Sequence, residues 1–132
     1  MDLFSTLADG ADHDVDLAPA LRELGAFVRA LSENDRKVIA GIQSAREFEN
    51  WEKAAKKAQA LAYGQGLRER WWEYVEIIDS ERHDTFWSSA WDAAYDAMGA
   101  MLLRPYVNSL WTQKEYDLLL APLKAVGWQA PA

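Results

Sequence analysis

The chain has 132 residues, half of them apolar and 27% charged, with a net charge of −7, seven tryptophans and no cysteine. That length and balance describe one globular domain able to bury a core of its own. The missing cysteines exclude disulfides, thiolate metal sites and thiol chemistry, and the acidic balance sets the surface against the phosphates of nucleic acid.

Residues 1–15 carry Gly10 and scattered acidic residues without an apolar period, so they read as a loosely ordered leader. They lack the basic and apolar regions of a signal peptide. The longest apolar runs, Ala97–Leu103 and Leu118–Leu123, fall far short of the roughly 20 residues of a membrane span. A cytoplasmic protein without membrane contact is expected.

The first helix is predicted from about Leu17 to Leu31, with Asp16 as its cap and Pro19 in its first turn. Leu17, Leu21, Leu24, Val28 and Leu31 fall on one stripe. Ser32 then caps a second helix, whose stripe is Val38, Ile42 and Ala45, and whose first turn holds Glu33 and Asp35. Trp51, Ala55, Ala58 and Ala62 form a third stripe pointing another way, which predicts a break near Arg46–Asn50. Tyr63-Gly64-Gln65-Gly66 is a stop, with Gly64 suited to the left-handed closing residue. Leu67, Trp71, Tyr74, Val75 and Ile78 share a face of the next helix, Leu67–Asp79.

After the polar turn Ser80–Asp84, Asp84 or Thr85 is expected to cap a helix reaching Leu103. Two stripes run along it side by side. One is Phe86, Ala90, Ala93, Ala97 and Ala100, and the other is Trp87, Trp91, Ala94, Met98 and Leu102. A helix apolar over so wide an arc is buried on more than one side, so it should be central. Pro105 ends it. Thr112-Gln113-Lys114-Glu115 is a capping box opening the last helix, which carries Tyr116, Leu119, Leu120 and Leu123. Pro122 should kink that helix or end its first part, and Gly127 should close it before a short tail, 128–132.

No segment alternates as a strand does. The expected fold is therefore all-α: a compact bundle of about five to six helices spanning 16–127 around a central buried helix at about 84–103, with no β-sheet. Ala90–Ala97 and Tyr116–Leu123 resemble helical stretches of bacterial and phage proteins, a likeness of composition that implies no activity and no site.

Each cluster with the residue types of a chemical site also has an ordinary reading. Asp12, Asp14, Asp16 and Glu23 have the spacing of calcium-loop carboxylates, but Leu17 stands where that loop needs glycine. Glu69, Glu73, Glu76, Asp79 and His83 lie along one side of the fourth helix, yet neither histidine follows a glutamate at the spacing of a bundle metal site. No metal and no cofactor is expected. Lys53, Lys56 and Lys57 are interleaved with Glu49 and Glu52, as on a solvated helix face. Nucleophile-elbow and phosphate-loop motifs are missing. Asp92 and Asp96, one turn apart on the central helix, are the pair that burial would turn into an acid and a base, or into a polar anchor.

Trp72 falls off its helix's stripe between Arg68, Glu76 and Asp79, and Trp128 lies past the last helix. Two functional readings follow. The first is a non-catalytic protein-interaction module: an adaptor, an inhibitor or antitoxin-like partner, or a subunit of a helical assembly, including a homodimer. Its partner-binding residues would be Trp72, Glu69, Glu76 and Trp128. The alternative is a helical bundle that binds a small molecule or metal in a tryptophan-lined pocket beside Asp92, Asp96 and Trp91.

Overall fold

The computed structural model describes residues 16–44, 48–82 and 88–131. Among them are six α-helices: α1 (Ala18–Arg29), α2 (Glu33–Ser44), α3 (Phe48–Gly64), α4 (Arg68–Ser80), α5 (Ser89–Leu102) and α6 (Gln113–Lys124). A single 3-10 turn, Arg104–Tyr106, follows α5. The described residues contain no sheet, only an isolated bridge between Val107 and Trp111. The leader expected over 1–15, His83, and the expected stripe residues Ala45, Phe86 and Trp87 lie outside the described residues.

α5 packs against all five other helices. Its sequence explains why. Ala90, Ala93, Ala94, Ala97, Gly99 and Ala100 are all buried, so neighbouring helices approach its backbone closely on several sides. Trp91, Met98, Met101 and Leu102 fill the spaces between them. α5 opens on Ser88 rather than at Asp84 or Thr85, as Ser88 is extended and its hydroxyl accepts from the Trp91 N–H at 3.4 Å.

Around this axis the expected stripes mostly point inward. Leu21, Leu24 and Val28 of α1 are fully buried, as are Leu119, Leu120 and Leu123 of α6. In α2 the core face is one residue out of phase with the sequence reading. Ile39 is the buried residue and Val38 is 40% exposed. A stripe with few apolar members leaves the phase to tertiary contact, and here α5 and α6 select Ile39.

Two helices close in the same way, and both bring an apolar residue back to the core. Gly66, not Gly64, takes the left-handed conformation (φ 76°), while Gly64 remains inside α3. The Leu67 N–H then donates to the Ala62 carbonyl at 2.9 Å and the Gly66 N–H to Tyr63 at 3.2 Å. At the end of α6, Gly127 (φ 100°) does the same, with Trp128 N–H to Leu123 and Gly127 N–H to Lys124, both at 3.1 Å. This double bond pattern folds the residue after the glycine against the helix. It seats Trp128 in the core at 9% exposure, so the tail begins as part of the body. Pro122 does not end α6, which continues two residues further to Lys124 with Pro122 buried. So close to the helix end, a proline disturbs only the last turn.

Candidate functional site

The junction of α3, α4 and α5 leaves a cleft of about 530 Å³. Ala55, Lys56 and Gln59 line it from α3, Trp71, Trp72, Val75 and Asp79 from α4, and Tyr95 and Asp96 from α5. Most of its exposed wall is apolar, and Lys56, Gln59, Asp79, Tyr95 and Asp96 bring polar groups to it, a mixture suited to a small-ligand site.

Trp71 and Trp72 are adjacent in sequence and so sit about 100° apart around α4. Trp71 turns toward α5, where its indole lies over Gly99. An added Cβ at Gly99 would come within 2.5 Å of the Trp71 ring, so only glycine admits the indole here. Trp72 stays 48% exposed, yet it is held in place. Its Nε1–H donates to the Tyr63 hydroxyl at 2.9 Å, which also accepts from Gln59 Nε2 at 3.3 Å. The Arg68 guanidinium lies 5.3 Å from the Tyr63 ring centroid. Trp72 is thus a fixed wall, with the cleft on one side and a shallow groove of about 560 Å³ bordered by Arg68, Glu69, Glu73 and Glu76 on the other.

At the other end of the cleft a polar chain ties α4 to α5. The Tyr95 hydroxyl donates to Asp79 Oδ1 and accepts from Arg82 Nη1 at 3.5 Å. Burial, and then the bond to Asp79, push the Tyr95 hydroxyl up to about 12. Arg82 also lies 5.9 Å from the Trp91 ring centroid. Burial raises the Asp92 carboxyl above its usual range, an effect that the nearby Arg82 charge partly offsets.

Asp96 differs from these groups. Its side chain is half-buried in the cleft wall, and no hydrogen bond reaches its carboxyl among the described residues. Burial, with the Asp92 charge one turn away adding to it, pushes its pKa from 3.8 up to about 8. At neutral pH this is mainly a protonated acid in an aromatic-walled cleft, able both to give and to accept a hydrogen bond.

The sequence candidates divide on these grounds. Asp96 and Trp72 come together in the cleft. Asp92 stands behind Asp96 and acts through its charge. Trp91 is 1% exposed and lies in the core, outside the cleft wall, with its indole N–H buried and unpartnered among the described residues. Trp128 is likewise a core residue, so of the two off-stripe tryptophans only Trp72 is presented to solvent. Glu69 and Glu76 are exposed along the outer groove. Among the described residues no three acidic or histidine side chains converge as a metal ion would need, and no helix is long and apolar enough to cross a membrane. Tyr63 and Tyr95 are site residues that the stripes did not single out, and Trp71, a stripe residue, was expected only in the core. Gly99, three residues after Asp96 in a helix otherwise built on alanine, was the available signal for a close-packed ring.

A second cleft, about 700 Å³, lies between α3 and α6. Lys53, Lys57 and Lys114 border it together with Glu115 and Asp117, over an apolar base that includes Ala54, Leu118 and Ala121. Two of its charges are paired: Lys57 Nζ donates to Glu115 Oε1 at 3.0 Å.

No protein-family model matches the chain, and no curated protein or solved structure does either.

Proposed function

We propose that the chain is a binding protein whose α3–α4–α5 cleft takes a small ligand, with Trp71 and Trp72 as its apolar walls and Asp96 as its polar anchor. The observation that carries this reading is the Asp96 carboxyl, half-buried in the wall of an open cleft and without a hydrogen bond among the described residues. A ligand that supplies a donor to a carboxyl in this partly desolvated position gains a charge-assisted hydrogen bond. The preformed volume and the pinned Trp72 ring lower the ordering cost of binding.

The test is a thermal-shift screen of small aromatic and aliphatic compounds, repeated on Trp72→Ala. Hits that raise Tm in the native chain and lose their effect in the variant support the site. Hits that stabilise both chains equally place any binding elsewhere.

A second reading has its own observation. Trp72 presents about half of its indole to solvent, held by Tyr63 and flanked by Glu69 and Glu76. A fixed exposed aromatic among charges has the character of an interface anchor, as in an adaptor, an inhibitor, an antitoxin-like partner, a helical-assembly subunit or a homodimer. Light scattering over a concentration series checks the homodimer form. A dimer that becomes a monomer in Trp72→Ala supports it, and a monomer at every concentration removes it.

A further inference from the structure

Resting on the reading of this cleft as a ligand site, we infer that its ligand is a protonated organic amine, with the ammonium on the Asp96 carboxyl and an apolar body between Trp71 and Trp72.

Charge chooses among the ligand classes. The groups facing Asp96 are Asp79 and Tyr95 within the cleft, Asp92 on its own helix, and Lys56 and Gln59 from α3. The described cations near it have other contacts. Lys56 Nζ lies 3.0 Å from Glu52 Oε1. Arg82 reaches Tyr95 and lies over Trp91. Among the described lining residues, an anion entering the cleft would meet Asp79 and Asp96 against one cation, Lys56, which is shared with Glu52. A neutral ligand would satisfy the acid but leave the negative surroundings unused. An ammonium supplies both a donor and a positive charge to Asp96, in a cleft that the Trp71 and Trp72 rings also line. The volume, about 530 Å³, suits a ligand of one or two rings.

The same geometry couples binding to a proton. Asp96 titrates near 8 in the free protein, so an ammonium pairs with it only after its own proton leaves. The ionised fraction rises from about 1% at pH 6 to about half at pH 8, so affinity should rise about 50-fold over that interval. A primary alkylamine, with a pKa near that of lysine at about 10.4, stays charged throughout.

The experiment is calorimetric titration of the intact chain with three probes of one shape: 2-phenylethylamine, 2-phenylethanol and phenylacetate. Each is measured at pH 6, 7 and 8, and in two buffers of different ionisation enthalpy. The expected result is an amine bound at least tenfold more tightly than the alcohol at pH 8, no binding of the carboxylate, and release of a proton on amine binding at pH 7. Asp96→Asn should cost the amine at least tenfold and leave the alcohol little changed. If the alcohol binds as well as the amine at pH 8, the amine inference fails while the cleft remains a ligand site. If the amine binds with no proton release, or Asp96→Asn leaves its affinity intact, Asp96 is not its partner and the inference is overturned. If none of the three binds at millimolar concentration, both the inference and the ligand-site reading fall.

Discussion

The two clefts on either side of α3 are similar in size and opposite in construction. On the α6 side the polar groups answer one another: Lys57 bonds Glu115, and Glu115 in turn accepts from the Thr112 N–H at 3.0 Å and the Thr112 hydroxyl at 3.1 Å. On the α4–α5 side, Trp71 is seated on Gly99 and Trp72 on Tyr63, and the Asp96 carboxyl that shares their cleft accepts no hydrogen bond among the described residues. The first pattern spends its polar groups on holding helices together. The second leaves one half-buried carboxyl without a described partner, and groups with perturbed titration of this kind concentrate at functional sites. The contrast is therefore energetic, and stability measurements can test it.

The largest effect should come from removing the ionisable group. Asp96 titrates at 3.8 when unfolded and near 8 when folded. Between those values the folded chain binds a proton that the unfolded chain has lost, so stability falls as pH rises from about 4 to about 8, by at most about 1.4 kcal/mol per pH unit. Asn resembles the protonated acid and does not ionise. Asp96→Asn should therefore melt higher than the native chain at pH 8, with the gap closing as the pH is lowered toward 4. Parallel melting curves for the two chains across that range would show that Asp96 is not held in the buried, unpaired state.

Next in size is the close approach of Trp71 to α5. Gly99→Ala places a Cβ against the ring, and overpacking of this kind costs about 1–3 kcal/mol despite the better helix propensity of alanine. Trp71→Phe shortens the ring and reopens the space. The double variant should therefore lose less stability than the two single losses added together, a non-additivity readable from urea midpoints. Simple additivity would mean that the ring and the glycine do not share the space between α4 and α5.

Most of the fold could be read from the sequence because long stripes constrain a helix strongly. The central placement of α5 followed from its double stripe, and the capping box at Thr112–Glu115 forms with both of its bonds present. The errors fall where one or two residues decide the outcome. Val38 and Ile39 differ by one step around α2, and nothing local chooses between them. Gly64 and Gly66 both permit a left-handed turn, and the choice of Gly66 depends on Leu67 reaching back to Ala62. Asp92 and Asp96 were recognisable as a pair, but their unequal burial depends on which of them faces α3 and α4. Tyr63 was unreadable as a support for Trp72, because the bond joins the end of one helix to the start of the next across the Gly66 turn.

The smaller effects belong to the ion-paired cleft, and their sign is the reverse of Asp96. Thr112→Ala removes the cap and should cost about 1 kcal/mol, measured by urea melts at neutral pH. Lys57→Ala should cost less, about 0.2–1 kcal/mol, since the pair is partly solvated, and added salt should shrink the difference. Slight burial pushes the Glu115 carboxyl up, but the bonds from Lys57 and Thr112 outweigh it and hold the group below its usual 4.5. A carboxylate lowered on folding stabilises the chain above its unfolded value and loses that contribution as pH falls through its folded one. The cost of Lys57→Ala should therefore be present at neutral pH and disappear in acid, while the gain from Asp96→Asn grows toward pH 8. Opposite pH trends in two variants on either side of one helix would locate the satisfied and the unsatisfied carboxyl independently. If Lys57→Ala cost the same at pH 3 as at pH 7, its contribution would lie in the packing of the lysine stem along α3, and the pairing with Glu115 would carry none of the stability assigned to it.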